Sequence, residues 1–341
     1  MAHIATFGEI MLRLSPPGRE RLFQSPRLGA TFGGAEANVA VSLALLGHRS
    51  RWISVVPANP AGEAALGELR RHGVDVGAVV RAGRRLGIYF AETGADARPS
   101  RVVYDREGSG LAEAKPGDID WARALDGMAW LHVSGITPAV SASAAALTLE
   151  AIRAARAKGL TVSIDLNYRA KLWKYGRPAP EVMRELAGQA SLVIGNEEDC
   201  QKALGIAGPD PGRGTVEAAA YEKLTAEVMA AFPAVDRVAV TLRESRGADW
   251  NVWSAVMRTR RAFLRGPSYD IRTVVDRIGT GDAFAAGLIH GLAGGQEDAA
   301  ALDFAVAAAA LKHAIPGDWN LSTEREILDL AAGDRSGRVQ R

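Results

Sequence analysis

The chain has 341 residues, 48% of them hydrophobic and 23% charged, with a formal net charge of only +2 at pH 7. A chain this long buries a large core without staples, and its near-neutral balance sets up no field that would draw a polyanion or an anionic membrane. Cys200 is the only cysteine, which excludes an intramolecular disulfide and a zinc site built on cysteines.

The N-terminal stretch MAHIATFGEIMLRL lacks a basic segment followed by an apolar one, so it does not read as a signal peptide. No apolar run reaches the roughly 18 residues that span a bilayer, and a reduced, cytoplasmic protein is the default expectation. Residues 8–32 look extended, with a turn at SPPGRE. FGGAEANVAVSLALLG (32–47) opens an apolar helix on paired glycines, with the polar Asn38 in its second turn. RWISVV (51–56) reads as a strand, and the helix after it is capped by Asn59 and begun by Pro60. Residues 84–106 are extended again, with GIYFAE and SRVVYDRE forming a strand pair across a turn at TGADARP. AWLHVSG (129–135) precedes a helix from about Ser141 to Lys158 that Gly159 ends. TVSIDLN (161–167), SLVIGN (191–196) and RVAVTL (237–242) follow, with helices between them. Residues 207–214, AGPDPGRG, read as a mobile surface loop and 333–341 as a loose tail. The basic RTRRAFLRG (258–266) alternates with apolar residues and reads as a solvated strand face rather than a nucleic-acid patch. Neither a nucleic acid nor a membrane is expected as a partner.

Several of these runs are almost unbroken apolar, as strands buried on both faces of a parallel sheet are. Strand–helix–strand repetition predicts an α/β fold: a doubly wound, mainly parallel sheet flanked by helices. The extended pieces, about 9–32 and 84–110, are expected to form a small β-sheet over one edge of a single domain spanning 1–332. No G-x-x-x-x-G-K-[ST], no G-x-G-x-x-G after a strand and no paired-histidine metal motif is present.

DRIGTGDAFAAGLIHGL (276–292) places Gly279, Thr280, Gly281 and Asp282 where a helix begins. Backbone N–H groups at a helix start favour an anion, and glycines let a phosphate come close. Asp282 is badly placed to bind an anion itself. It suits a base that takes the proton of a hydroxyl attacking phosphorus, while the N–H groups hold the charge of the transferred phosphoryl. Taken alone, a helix cap is the favoured reading of Asp282. As a helix-start aspartate it is expected to have a low pKa.

Together with FGGAEANVAVSLALLG, this stretch resembles the two signatures of the ribokinase-like (PfkB) family of carbohydrate kinases, over about residues 3–330. The resemblance implies the doubly wound domain with a β-sheet lid, Asp282 as base, Gly279 to Asp282 as anion hole, and ATP and magnesium as cosubstrate and ion. GNEED (195–199) looks like that family's N-x-x-E motif with Asp199 in place of glutamate. It implies that Asn196 and Asp199 meet the magnesium through water; an Asn cap with acidic residues in the first turn explains the same residues. Some relatives use a monovalent cation, for which no residue here is decisive.

Within the family, GEIMLRLSP, the Y-x-R of the lid, NYRAKLW and HAIPGDWN resemble the 2-keto-3-deoxygluconate kinases. The implied sugar-acid contacts are Gly34, Tyr89, Tyr104, Arg106, Arg169 and Asp318. Arginines suit a carboxylate because a guanidinium fork binds it with two parallel hydrogen bonds. The expected reaction is ATP-dependent phosphorylation of the 6-hydroxyl. On the nucleotide side, TLRESRGADWN (241–251) offers Arg243, Ser245 and Gly247, beside Asn196, Gly279 and Gly281. Rival readings are a kinase for fructose or ribose, a nucleoside kinase, and a non-catalytic sugar-acid sensor. A homo-oligomer through the lid is expected, because pairing two lids covers an apolar face.

Overall fold

The structure, a computed structural model, describes residues 1–209 and 218–334. Its strands are β1 (His3–Phe7), β2 (Met11–Ser15), β3 (Gly29–Gly33), β4 (Arg49–Ile53), β5 (Val55–Val56), β6 (Val80–Arg81), β7 (Gly87–Glu92), β8 (Arg101–Asp105), β9 (Trp130–Ser134), β10 (Thr161–Asp165), β11 (Leu192–Gly195), β12 (Arg237–Ser245), β13 (Asn251–Thr259), β14 (Phe263–Arg265) and β15 (Tyr269–Ile271). One nine-stranded sheet runs β14-β13-β12-β11-β10-β9-β1-β4, with β15 also on β13. From β12 to β4 every pairing is parallel, and β13 closes the edge antiparallel. Alternation along the strands divides the core between the two faces. Ala5, Phe7, Val193, Val238 and Val240 face one cluster. Ile4, Leu192, Ile194 and Ala239 face the other, with Phe284 and Phe304. This is the doubly wound α/β arrangement that the apolar runs predict.

A second sheet, β3-β2-β7-β8, is built from the two extended regions. The pair β7–β8 is antiparallel as expected, with Tyr89 opposite Tyr104. Arg13 of β2 registers with Tyr89 on one side and Thr31 on the other. Because side chains one register row apart share a face, Arg13, Tyr89 and Tyr104 form a row across this lid. Met11, Arg13, Tyr89 and Ala91, at alternate positions of β2 and β7, are buried.

Local signals act where the sequence places them. The Asn59 side chain accepts from Gly62 N–H at the start of Pro60–Arg71. Ser141 caps Ala142–Ala157 through Ala144 N–H, and Gly159 ends that helix at φ 76°. Two expectations differ. RWISVV splits at Ser54: its first part, in β4, joins the large sheet, while β5 pairs with β6 in a sheet of its own. RTRRAFLRG is not one strand face but the end of β13, a turn that Arg261 and Ala262 N–H close on Thr259 Oγ1, and β14. Of AGPDPGRG, residues 210–214 lie outside the described residues, as do 335–341 of the tail. No helix among the described residues is long and apolar enough to cross a membrane.

The parallel strands all point their C-terminal ends to one edge, where open α/β sheets bind ligands. That edge carries Gly8 and Glu9 after β1, the Asp165–Arg169 segment after β10 and Asn196 after β11. The helix Thr280–Ala293, which begins there, is locked by Phe284, fully buried between sheet and neighbouring helices. Phe284→Ala is expected to cost about 3–5 kcal/mol of stability, read as a lower denaturant midpoint at unchanged slope.

Candidate active site

Two helices open side by side at this edge, and both open on glycine. Gly34 precedes Ala35–Leu45, and a Cβ there would run into the Glu9 carbonyl oxygen. Gly279 precedes Thr280–Ala293 at φ 84°, and a Cβ there would run into the Asp318 carbonyl oxygen. Both the left-handed backbone and the close approach therefore require glycine at 279. Gly281 faces open space: nothing lies within 4 Å of where its Cβ would stand. The loop into this helix is tied down by Asp276, which accepts from Ile278 N–H (3.0 Å), Gly317 N–H (3.1 Å) and Arg13 (2.6 Å). Thr280 Oγ1 donates to the Arg277 carbonyl at 3.0 Å. The result is a rigid helix start with outward N–H groups and room in front of them, the geometry of an anion site.

Asp282 does not cap this helix, which has no side-chain cap. Its Oδ2 instead accepts from Asn38 Nδ2 at 2.6 Å, across to the first helix. Asn38 Oδ1 in turn accepts from Gly34 N–H at 3.2 Å. The low pKa expected of a helix-start aspartate is not found. Burial pushes the Asp282 carboxyl up to about 7; the Asn38 bond opposes this, and the neighbouring charges of Asp318 and Glu36 add to it. Desolvation outweighs the helix dipole here because the group is 8% exposed.

Asp318 lies beside it, buried in the turn after Asp298–Lys312. Its Oδ1 accepts from Arg13 (2.9 Å) and the Tyr89 hydroxyl (2.5 Å), leaving Oδ2 only a 3.5 Å contact with Asn38. Arg13 thus bridges Asp276 and Asp318 from the lid. Tyr89 commits its hydroxyl proton to Asp318 and stacks near Tyr104 at 6.1 Å between ring centroids. Below them, Glu36 accepts from Ser134 N–H (3.1 Å), Ser134 Oγ (2.7 Å) and Thr137 Oγ1 (3.0 Å) through one oxygen. Burial raises its pKa.

Arg106 lies one residue beyond β8 and is only 5% exposed. It pairs with Glu9, which also accepts from Ser109 Oγ, while Arg106 Nε and Nη1 have no hydrogen-bond partner. A buried guanidinium with unused donors is an incomplete site. Arg169 follows β10 and is exposed, its Nη1 donating to the Tyr168 carbonyl at 2.8 Å. Its charge nevertheless reaches Asp282, Asp165 and Asp199 and favours their ionised forms.

Asn196 and Asp199 form a reciprocal capping box at 2.8 and 3.0 Å, and the other Asp199 oxygen accepts from Tyr168 N–H at 2.9 Å. The cap reading accounts for both residues in this structure. Arg243 and Ser245 are exposed at the end of β12, and Gly247 turns the chain with its carbonyl accepting from Arg277. Arg243 is disfavoured as a cation by the protein around it and then by Arg169; Arg277 is disfavoured by burial and then by Arg243. Arg169 and Arg277 are thus each set against Arg243 by like charge. A polyanion relieves that repulsion.

Sequence reading singled out Asp282, Gly279 to Gly281, Gly34, Tyr89 and Asp318, and the structure brings these together. Arg106 and Tyr104 join them from the lid, and Arg169 through its charge. Ser245 and Gly247 carry no contact to the cluster. Arg13, Glu36 and the role of Asn38 were missed. Arg13 had a signal: a charge at an inward position of the alternating MLRLS strand.

The chain matches the family model described as pfkB family carbohydrate kinase over residues 1–321. It is 34% identical to the 2-dehydro-3-deoxygalactonokinase of Haloferax volcanii, covering 98% of each chain. Identity to the 2-dehydro-3-deoxygluconokinase of Bacillus subtilis is 30%, over 97% of this chain and 96% of that one. Among solved structures, the 2-dehydro-3-deoxygluconokinase of Thermotoga maritima superposes with a TM-score of 0.92 at 43% identity, over 98% of this chain and 100% of that chain. The Asp282 environment can be tested by infrared titration of its carboxyl stretch. The midpoint is expected near about 7, lower in Asp318→Asn, which removes a repelling charge, and higher in Asn38→Ala, which removes the bond that favours the carboxylate.

Proposed function

This chain belongs to the pfkB family of carbohydrate kinases, and we propose that it transfers the terminal phosphoryl of ATP to the 6-hydroxyl of 2-keto-3-deoxygluconate. The observation that carries the reading is the meeting of Asp282 with the open Gly279–Gly281 turn, beneath a lid that brings tyrosines and a buried arginine. The relatives named above support the acceptor.

The acceptor hydroxyl approaches Asp282 Oδ1, the oxygen that Asn38 does not hold. As the oxygen bonds to phosphorus, its proton passes to Asp282 and the bond to the ADP oxygen breaks. In a loose transition state the proton leaves late. A base near neutrality matches that task better than an ordinary aspartate. The N–H groups of Gly279 to Asp282 hold the charge on the transferred phosphoryl oxygens. Asp318 Oδ2 is offered to an acceptor hydroxyl, with Gly34 bordering the acceptor. Arg106, Arg169 and Tyr104 take the distal carboxylate, so that binding energy remote from the reaction aims the reacting oxygen. Arg243 and Arg277 face the polyphosphate, and Ser245 and Gly247 border the nucleotide.

Magnesium enters with the nucleotide. The described residues hold no group of three His, Cys, Asp or Glu side chains able to bind a metal alone. Asn196 and Asp199 would hold a magnesium ion through water, beside the nucleotide's phosphates. When bound it neutralises phosphate charge. The lid exposes Phe23 (71%) and Val103 (38%), the surface we assign to contact with a second copy.

A coupled ADP-release assay across 2-keto-3-deoxygluconate, gluconate, fructose, ribose and adenosine tests the assignment. The keto acid is expected to be preferred, and Asp282→Asn to lose on the order of 10³-fold in kcat; fructose turnover well above the keto acid contradicts the reading. In the wild type, kcat/KM for the acceptor should rise with pH through about 7, because only ionised Asp282 takes the proton. A rate flat from pH 5 to 8 would be at odds with a base in that environment.

A further inference from the structure

Lys312 is the last residue of the helix Asp298–Lys312, after an all-apolar stretch, and is fully buried, 0% exposed. A buried ammonium needs partners, and its three donors find a single hydrogen bond, 2.9 Å to the Ile315 carbonyl. That one carbonyl does not explain a buried charge. What surrounds it does. Lys312 Cε lies 3.3 Å from where a Cβ of Gly279 would stand, so the side chain runs directly beneath the anion-binding turn. Its charge interacts with Asp276, Asp318 and Asp282, which favour the ammonium, and with Arg13, which opposes it; burial draws its pKa below the ordinary value.

The charge count makes the consequence clear. Asp276, Asp282 and Asp318 place three carboxylates around the helix start. Arg13 pairs with two of them, at 2.6 and 2.9 Å. Without Lys312, a polyphosphate would approach this turn against carboxylates answered by one buried cation. In a poorly hydrated site such like-charge terms are far stronger than in water.

We propose that Lys312 is a built-in cation of the phosphoryl-binding turn. Its ammonium offsets the carboxylates under Gly279 and lets the turn accept a nucleotide's terminal phosphate without a monovalent cation drawn from solution. It touches neither acceptor nor phosphate and is therefore a positioning residue acting through the turn. The inference rests on the kinase reading above. It adds the source of positive potential behind the N–H groups.

The test compares wild type, Lys312→Met, which keeps the stem and removes the charge, and Lys312→Ala, which leaves space. Assays run with magnesium in tetramethylammonium buffer, with and without potassium or methylammonium. Wild-type kcat is expected to change less than about 2-fold on adding potassium. Lys312→Met should melt as a folded protein, lose on the order of 10²-fold in kcat and shift the acceptor KM less than about 3-fold. Lys312→Ala should regain at least about 5-fold with methylammonium, a rescue that lost packing alone would not give. A Lys312→Met kcat within about 3-fold of wild type, a defect confined to acceptor KM, or strong potassium activation of the wild type would each overturn the proposal. Calorimetry with a non-hydrolysable ATP analogue reads the same charge without an acceptor. Its Kd should rise about 10-fold or more in Lys312→Met, and an unchanged Kd overturns the proposal. If wild type phosphorylates none of the acceptors, the substrate assignment fails, and the nucleotide titration still decides the role of Lys312.

Discussion

The structure of this edge rests on one constraint: three carboxylates, Asp276, Asp282 and Asp318, are buried close together and must be answered without solvent. A buried charge left unpaired costs several kcal/mol. Each carboxylate is met differently. Asp276 receives backbone N–H groups and a guanidinium, Asp318 a guanidinium and a phenol, and Asp282 only an amide. That inequality separates their chemistry. The two held by Arg13 serve as anchors, while the one held by a neutral partner is left near neutrality.

The same constraint joins the two sheets. Arg13 projects from the lid to carboxylates that follow β15 and the Asp298–Lys312 helix, 263 and 305 residues away in sequence. Tyr89 adds a second lid bond to Asp318. In this conformation the lid is already fastened over the helix start. On the opposite flank, the lid turn at Asp96 accepts from Ala248 N–H at 2.7 Å, beside the Gly247 turn assigned to the nucleotide. The lid therefore touches both the Asp318 turn and the turn at Gly247 and Ala248.

Much of this was legible in the chain because it is local. Periodicity marked the parallel strands, paired glycines marked the two helix starts, and alternating GIYFAE and SRVVYDRE marked the lid. The caps at Asn59 and Ser141 follow from residue type and spacing. What could not be read depends on distance. Nothing near Arg13 or Asn38 in sequence announces a carboxylate hundreds of residues away. The pKa of Asp282 was misjudged for the same reason. A helix-start rule counts the dipole of its own helix, whereas burial and the charges of Asp318 and Glu36 come from elsewhere. Asn196 and Asp199 illustrate the reverse case: residues with a ligand-binding reading also close a local capping box, which residue type and spacing explain by themselves.

The central claim is that the Gly279–Asp282 turn receives a nucleotide's terminal phosphate while Asp282 faces the acceptor hydroxyl. The most direct measurement is a crystal structure with magnesium, a non-hydrolysable ATP analogue and 2-keto-3-deoxygluconate bound together. The account predicts the terminal phosphate on the N–H groups of that turn, and the 6-hydroxyl within hydrogen-bond reach of Asp282, roughly 2.6–3.2 Å. A phosphate seated elsewhere, or the sugar's carboxylate turned toward Asp282, would contradict it.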